Sequence, residues 1–257
     1  MSFLFSEIIF GPIKSRRLGV SLGINLLPVD GKVCTFDCIY CECGYNTTGR
    51  DSGLPSRELV KQKLREKLLV MQQDGEAPDV ITFAGNGEPT MHPDFAEIVD
   101  DTIDLRNEFF PNAKISVLSN STYVRKPAVF EALKKVDNNI LKLDSGIDAT
   151  VRLIDRPTQS AFTVAGLVEE LKKFEGNLII QTMFLRGAHK GISVDNTTDE
   201  EIEALIAVMK KIQPKQIMVY SIDRETPENT LEKVSKEELT QIAARLEKAG
   251  FSVLVSA

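Results

Sequence analysis

Three cysteines lie close together early in the sequence, at Cys34, Cys38 and Cys41. Thiolates are soft ligands that suit zinc or iron–sulfur clusters. A structural zinc normally takes four protein ligands, whereas a cubane cluster held by three cysteines keeps one iron open for another ligand. Three cysteines at this spacing therefore favour a reactive iron–sulfur centre over a structural metal site.

The alternative is a zinc site that is completed by a fourth residue. Cys43 is only two residues from Cys41, and the two histidines, His92 and His189, have no ligand-type spacing to this loop. Ligand count and spacing therefore disfavour zinc. We expect Cys43 to be a free thiol near the cluster, because a fourth thiolate would close the open iron.

The bulk composition limits the classes of protein to which the chain can belong. Its 257 residues are 42% hydrophobic, which suits a single domain over residues 1–257. No apolar run reaches membrane-spanning length and the N-terminus lacks a signal-peptide pattern, so we expect a cytoplasmic protein without membrane contact. The four cysteines are too few for a disulfide framework. A formal net charge of −6 gives no general attraction to nucleic acids.

Short β-rich segments alternate with amphipathic helical segments from about residue 78 onward. The predicted strands are Val80–Ala84, Lys114–Leu118, Ile140–Leu143, Leu178–Phe184, Gln216–Ser221 and Phe251–Val255. The predicted helices are Asp94–Phe109, Pro127–Val136, Phe162–Phe174, Glu200–Ile212 and Lys236–Ala249. Upstream, Gly19–Leu27 is predicted as a first strand and Arg57–Gln73 as the first helix. Such alternation implies an α/β fold with a parallel sheet, a core over about residues 18–221, and a last helix and strand within 235–256.

Two of the predicted helices begin with capping boxes, Thr198 with Glu201 and Ser235 with Glu238. Gly250 follows the last helix, where a C-terminal capping glycine is expected. These signals fix the helix boundaries, but the pattern alone does not separate an open sheet from a barrel.

Four unusual segments follow successive predicted strands. They are the cysteine loop (residues 28–44), Gly85-Asn86-Gly87-Glu88-Pro89, Ser119-Asn120 and Asp144-Ser145-Gly146. In parallel α/β folds, chemistry collects in the loops at the carboxyl ends of the strands. We therefore expect all four segments on one rim, where the glycines allow a ligand to approach the backbone and Glu88 offers a carboxylate to a cationic group.

Lys142 and Asp144 alternate on one face of their predicted strand. If that face is inward, the charged pair indicates a polar site, because buried charges need partners; if it is outward, both side chains are solvated. Tyr40, directly before Cys41, is either a core residue or an aromatic ring that stacks on a flat cofactor. Further charged residues suit either a solvated surface or the binding of an anion; they are Lys14, Arg16, Arg17, Arg152, Asp155 and Arg156.

The segment Cys34-x-x-x-Cys38-x-Tyr40-Cys41, followed by Gly-Asn-Gly-Glu-Pro after the next strand, resembles the radical S-adenosylmethionine (radical SAM) superfamily. The resemblance covers most of the chain and implies a partial (βα)6 barrel with parallel strands.

A closer resemblance connects the chain with the branch related to the wyosine-forming (4-demethylwyosine synthase-like) tRNA enzymes. The segments that carry it are Ser15-Arg16-Arg17-Leu18-Gly19, Leu141-Lys142-Leu143-Asp144 and Asp155-Arg156-Pro157. Those enzymes have a second cluster built from further cysteines, which this chain lacks.

The superfamily resemblance implies that Cys34, Cys38 and Cys41 hold a 4Fe–4S cluster whose open iron binds S-adenosyl-L-methionine (SAM). It implies SAM contacts from the other residues of the rim, with Glu88 facing the SAM ammonium group, Tyr40 near the adenine, and Asn120 and Asp144 at the carboxylate or ribose. The whole implied set is Tyr40, Gly85, Asn86, Gly87, Glu88, Pro89, Asn120, Lys142 and Asp144; Lys142 stands where many relatives have a serine.

The expected activity is reductive cleavage of SAM to a 5′-deoxyadenosyl radical that abstracts a substrate hydrogen, with electrons from a reductant such as flavodoxin or ferredoxin. Little sequence follows the last predicted strand of the core, which suggests an open barrel mouth and a macromolecular substrate. The alternatives are a wyosine-type tRNA modification enzyme, a radical-activating enzyme that acts on a protein, and a non-enzymatic iron–sulfur or zinc protein that transfers electrons or serves as a scaffold.

Overall fold

The structure is a computed structural model that describes residues 3–15, 18–47 and 51–256. The strands are β1 (Ile9–Ser15), β2 (Gly19–Ile24), β3 (Val80–Phe83), β4 (Lys114–Ser119), β5 (Asn138–Lys142), β6 (Ile179–His189), β7 (Ile192–Asp195), β8 (Gln216–Ser221), β9 (Leu231–Lys233) and β10 (Val253–Ser256). The helices are α1 (Arg57–Gln73), α2 (Phe95–Phe109), α3 (Pro127–Lys135), α4 (Asp148–Ile154), α5 (Val164–Lys172), α6 (Asp199–Ile212) and α7 (Lys236–Lys248). Arg16 and Arg17, in one of the segments with a family resemblance, lie outside the described residues.

One sheet has the strand order β1-β2-β3-β4-β5-β6-β8-β10. Strands β2 to β6, β8 and β10 are parallel to their neighbours, and β1 joins the β2 edge in the antiparallel direction. The sheet curves into a half-barrel, with the helices on its outer face. The predicted α/β fold class, a partial (βα)6 barrel, is therefore confirmed.

The two faces of the parallel strands differ in chemistry. The outer face packs aliphatic side chains against the helices in the main core, for example Ile81, Val117 and Ile217. The inner face carries two smaller apolar clusters, one built on Ile140, Ile179 and Met218 and one that includes Met183, together with polar residues. This asymmetry leaves the lumen available for a polar site, while the outer face supplies most of the stabilising burial.

Several elements were not expected from the sequence. Strand β1 includes Gly11 and Pro12, which weaken a strand signal. Strand β6 runs five residues past its predicted end, and its hairpin with β7 turns at Lys190 and Gly191, both with positive φ. Strand β9 pairs with the same extension. Both β7 and β9 therefore pair with the end of β6 that lies beyond the parallel sheet.

The helix caps agree with prediction in one case and differ in the other. Ser235 and Glu238 form the complete capping box of α7. Thr198 caps α6, but the Glu201 carboxylate does not return to the cap, because it accepts hydrogen bonds from Ser145 Oγ at 2.5 Å and from Thr150 Oγ1. This side chain therefore ties α6 to the loop after β5. No helix among the described residues combines the length and the apolar composition that a bilayer span requires.

Candidate functional site

The cysteine loop connects β2 to α1, and backbone contacts between its first and last residues close it. Lys32 and Asn46 form a parallel bridge, and the Thr47 amide donates to the Lys32 carbonyl at 3.1 Å. The Asn46 side chain accepts from the Cys34 amide at 3.0 Å and donates to the Phe36 carbonyl at 3.2 Å. Asn46 thus orients the first cysteine, a role that the motif search missed because it stands beyond the last cysteine.

The loop is also held by α4. The Asp37 amide donates to the Asp155 carbonyl at 3.0 Å, and the Ile39 amide donates to the Ile154 carbonyl at 2.9 Å. Phe36 forms an antiparallel bridge with Pro157. The C-terminal end of this unpredicted helix therefore supports the side of the loop that carries Cys38.

The three cysteines are free thiols in a largely apolar setting. Cys38 is buried, whereas Cys34 and Cys41 are half-buried, and all three contact the apolar cluster around Ile39. The Sγ atom of Cys34 accepts hydrogen bonds from the Phe36 amide at 3.4 Å and from Asn120 Nδ2 at 3.3 Å. N–H donors to sulfur stabilise a thiolate ligand and tune an iron–sulfur centre.

The residues present fit a three-thiolate cluster. Both histidines bond away from the loop, since His92 Nε2 lies 2.8 Å from the Pro55 carbonyl and His189 Nδ1 lies 2.9 Å from Glu228 Oε1. No three histidine, cysteine, aspartate or glutamate side chains of the described ranges gather closely enough to hold one metal ion. A cubane binds each thiolate at a separate iron, so its ligands need not converge on a single point.

Cys43 lies beside Cys41 rather than apart from it. Its Sγ atom donates to the Gly85 carbonyl at 3.4 Å. The hydrogen bond between the two thiols lowers the pKa of Cys41 to about 6 and raises that of Cys43. Burial instead raises the pKa of Cys34 to about 11. The surroundings thus favour the thiolate of Cys41 and disfavour that of Cys34.

The two glycines after β3 allow the approach of the protein's own chain. A Cβ atom at Gly87 would overlap the Val33 carbonyl, and one at Gly85 would overlap the Asn25 side chain. Both residues have a strongly positive φ, +144° at Gly85 and +139° at Gly87. We expected these glycines to admit a ligand, but the group that approaches Gly87 is the backbone of the cysteine loop. These glycines therefore dock the loop onto the end of β3.

The side chain of Asn86 is fully buried and satisfied within the protein. It accepts from the Phe5 amide at 2.8 Å and donates to the Phe5 and Pro28 carbonyls at 2.9 and 2.8 Å. Asn86 anchors the N-terminal segment across the end of β3. The Pro89 ring is buried at the first position of a short 3-10 helix (Pro89–Met91).

Glu88 connects the ends of β3 and β4. Its buried carboxylate accepts from Thr90, from Ser119 Oγ at 2.8 Å and from the Asn120 amide at 2.6 Å. Burial raises the pKa of Glu88, while these donors act in the opposite direction. Asn120 in turn donates to Cys34 and, at 2.8 Å, to Thr35 Oγ1. Glu88 thus positions Asn120 against the first cysteine.

Lys142 and Asp144 point inward, as the polar-site interpretation expected. Lys142 Nζ lies 2.9 Å from Asp144 Oδ2 and 3.2 Å from Asp155 Oδ1. The Tyr40 hydroxyl donates to Asp144, and Lys142 Nζ lies 4.3 Å from the centre of the Tyr40 ring. Asp155 Oδ1 also accepts from Cys38 Sγ at 3.5 Å. The ring of Tyr40 is thus packed on a buried charge network that reaches the second cysteine.

The electrostatics of this network follow from one ammonium group shared by two carboxylates. Burial acts to lower the pKa of Lys142, but Asp144 and Asp155 raise it well above its ordinary value. Burial and the nearby Asp144 raise the pKa of Asp155. Asp155, which the sequence placed only in a charged cluster, is therefore part of the site.

A cavity of about 290 Å³ lies in the lumen beside the cysteine loop. Its wall includes Phe5, Phe10, Ser21, Thr82, Leu118 and Arg224. The Phe10 ring covers Gly23 and stacks on Phe5 with a centroid distance of 3.7 Å. The N-terminal segment therefore forms one wall of this cavity.

The sequence model of the Radical SAM superfamily matches residues 29–189. The chain therefore belongs to this superfamily. Membership implies a 4Fe–4S cluster and SAM as cofactors.

Three curated relatives are similar over most of the chain. The protein named GTPase Obg of Brachyspira hyodysenteriae is 29% identical over 93% of this chain and 33% of its own length. A UPF0026 protein of Helicobacter pylori J99 is 28% identical over 84% of this chain and 67% of its own length. A UPF0026 protein of Methanocaldococcus jannaschii is 29% identical over 92% of this chain and 70% of its own length. The chain thus spans only a third of the first relative.

Solved structures share the fold at low identity. A radical SAM methyltransferase from Sphaerobacter thermophilus has a TM-score of 0.66 and 15% identity, over 91% of this chain and 65% of that one. The structure of Streptococcus suis SuiB bound to S-adenosylmethionine has a TM-score of 0.62 and 14% identity, over 91% of this chain and 50% of that one. The structure of SuiB bound to its precursor peptide SuiA has a TM-score of 0.62 and 13% identity, over 91% of this chain and 48% of that one. TYW1 with a lysine–pyruvate adduct has a TM-score of 0.58 and 14% identity (89% and 73%).

Proposed function

We propose that Cys34, Cys38 and Cys41 hold the cluster and that Cys43 remains outside it. The observation that carries this assignment is the docked loop, fixed on one side by the Gly87 bridge and on the other by α4, with two N–H donors on Cys34. Cys43 instead donates to a backbone carbonyl. The cluster supplies, when bound, the electron that cleaves SAM to a 5′-deoxyadenosyl radical for hydrogen abstraction.

The proposed SAM contacts follow the rim of the half-barrel. Gly85 to Pro89 would border the amino group of SAM. The negative charge of the Glu88 carboxylate, buried at the ends of the strands, would stabilise the positive charge of that group. Asn120 and the pair Lys142 and Asp144 would take the carboxylate or ribose, and Tyr40 would lie near the adenine. Because Asn86 and Glu88 already bond within the chain, their part is to hold the rim in shape.

We further propose a macromolecular substrate, a protein or a tRNA, together with an electron donor of the flavodoxin or ferredoxin class. The fold likeness to SuiB with a bound peptide supports the first substrate, and the likeness to TYW1 supports the second. The chain has no G-x-x-x-x-G-K-[S/T] segment, the phosphate-binding pattern of P-loop nucleoside triphosphatases. Unpaired cysteines fit a reducing, cytoplasmic setting, and the continuous sheet supports one domain over 1–257.

Anaerobic reconstitution tests the proposal. The wild-type protein with dithionite and SAM should release 5′-deoxyadenosine, measured by liquid chromatography and mass spectrometry. Cys41→Ala should lose cluster and product, whereas the matched control Cys43→Ala should keep both. A fully loaded wild-type protein that releases no 5′-deoxyadenosine would refute the proposed reaction.

The substrate class can be separated in the same assay. Cell extract is added after treatment with ribonuclease or with an immobilised protease that is then removed. Stimulation of 5′-deoxyadenosine release that is lost only with ribonuclease indicates an RNA, and stimulation lost only with protease indicates a protein. Stimulation that survives both treatments contradicts a macromolecular substrate.

A further inference from the structure

Lys32 is a fully buried lysine in the cysteine loop. It is only 1% exposed and ranks among the largest buried side chains of the described ranges. Its Nζ atom donates to the Gly44 carbonyl at 3.0 Å, so the side chain crosses the interior of the loop. Lysine is almost never fully buried unless it is paired, because removing an ammonium group from water is unfavourable.

The carboxylate nearest to Lys32 does not account for its burial. Asp37 Oδ1 is 3.8 Å from Nζ, and the Asp37 side chain is 20% exposed. Asp37 also accepts from the Asn46 amide at 2.7 Å and lies 3.5 Å from Arg156. A partner that is distant, partly solvated and shared with a second cation offsets only part of the charge of Lys32.

The other groups that face the Lys32 ammonium are the cysteines. Its positive charge acts on Cys34, Cys38 and Cys41 together, and in each case it favours the thiolate. Other charges act on single thiols: Glu88 acts on Cys34, and Lys142 and Asp155 act on Cys38, whose Sγ atom lies 3.5 Å from Asp155 Oδ1. Lys32 is the cation that all three proposed ligands share.

We propose that Lys32 is the resident counter-cation of the iron–sulfur cluster and eases its one-electron reduction. The inference rests on the proposed ligand set. The three thiolates carry one more negative charge than the oxidised cubane core carries positive charge, so the cluster with its ligands has a net charge of minus one. An electron from dithionite or a flavodoxin adds a second negative charge. A fixed cation in a site of low dielectric constant stabilises the reduced state more than the oxidised state. In this role Lys32 acts on the reaction only through the cluster.

The competing explanation is that Lys32 only pins the loop through Gly44. The two explanations differ for the protein without cluster. If Lys32 serves the cluster, its buried charge is a cost in the apo protein, and an apolar side chain of similar length should be tolerated or stabilising. If Lys32 is a structural pin, its removal should destabilise the apo protein.

The test compares Lys32→Met, Lys32→Arg and Lys63→Met, an exposed lysine on α1 that controls for net charge. Urea unfolding is measured on the apo proteins, then iron content, then the midpoint potential by dithionite titration monitored by electron paramagnetic resonance. We expect apo Lys32→Met to be at least as stable as wild type. We expect its cluster to be at least tenfold harder to reduce, which is 59 mV for one electron, with Lys32→Arg and Lys63→Met near wild type.

Each outcome decides the question. A folded Lys32→Met protein that cannot retain the cluster also supports the counter-cation role, provided that Lys32→Arg retains it. A destabilised apo Lys32→Met protein, or an unchanged midpoint potential, overturns it. A wild-type protein that takes up no iron refutes the proposed ligand set itself, a result distinct from an unchanged potential in a loaded variant.

Discussion

The close contact at Gly87 makes a quantitative prediction for Gly87→Ala. Gly87 has φ +139°, a region that is essentially restricted to glycine, and a Cβ atom there would overlap the Val33 carbonyl oxygen. That contact contains two backbone hydrogen bonds, from the Val33 amide to the Asn86 carbonyl at 2.9 Å and from the Glu88 amide to the Val33 carbonyl at 3.0 Å. The substitution must therefore strain the backbone or separate the cysteine loop from β3.

The expected cost follows from these two effects. Backbone strain at such a φ costs about 1–3 kcal/mol, and two lost hydrogen bonds cost about 1–3 kcal/mol together. The free energy of unfolding should fall by about 2–6 kcal/mol. Gly75→Ala is the matched control, because Gly75 has φ +72° and nothing lies within 4 Å of the added Cβ; it should cost only about 1–2 kcal/mol.

Urea unfolding of the apo proteins, followed by circular dichroism, measures both values. Iron content after reconstitution then tests the link to the site, since Val33 directly precedes Cys34 and a displaced loop should bind less iron. The reasoning fails if Gly87→Ala costs no more than Gly75→Ala. It also fails if Gly87→Ala is strongly destabilised yet binds iron as fully as Gly75→Ala.

Three further predictions concern buried polar groups, and urea unfolding checks each. Lys142→Met leaves two carboxylates without their cation and should lower the free energy of unfolding by about 3–5 kcal/mol at pH 8. Because the pKa of Asp155 is already raised above 3.8, this loss of stability should grow as the pH rises and be smaller at pH 5. A loss of stability that does not depend on pH would contradict this prediction. Asp101→Asn should cost about 1–2 kcal/mol at pH 7, because Arg57 Nε at 2.6 Å holds the pKa of Asp101 below 3.8. This contribution is present above pH 3.8 and is lost as the pH falls through the lowered pKa, so a stability difference that does not shrink on acidification below pH 3.8 would be contrary to expectation. Asn139→Leu should raise the free energy of unfolding by about 1 kcal/mol, since the buried amide has no hydrogen-bond partner within the described residues; a loss of stability would show that the amide is satisfied.

The sequence was sufficient for the features that depend on local pattern. The bounds of α1 and β8 agree with prediction, because their apolar spacing and flanking residues are local signals. The rim segments also lie at the carboxyl ends of their strands, since that follows from parallel topology. The roles of individual side chains could not be predicted. Asn86 and Glu88 form hydrogen bonds with residues in other segments of the chain, and the sequence pattern of one segment does not show which distant residues it will contact.

The cysteine loop illustrates why such partners decide function. Its position is fixed by contacts from opposite sides, the backbone of Val33 on Gly87 and the amides of Asp37 and Ile39 on the end of α4. A flexible loop with three cysteines would lose conformational entropy when it binds a cluster, whereas a loop already held by backbone hydrogen bonds loses less. Lys32, the proposed counter-cation, belongs to the same loop and donates to its Gly44 carbonyl. Preorganisation of the ligands and of their counter-charge therefore has one structural origin, the closure of the loop between β3 and α4.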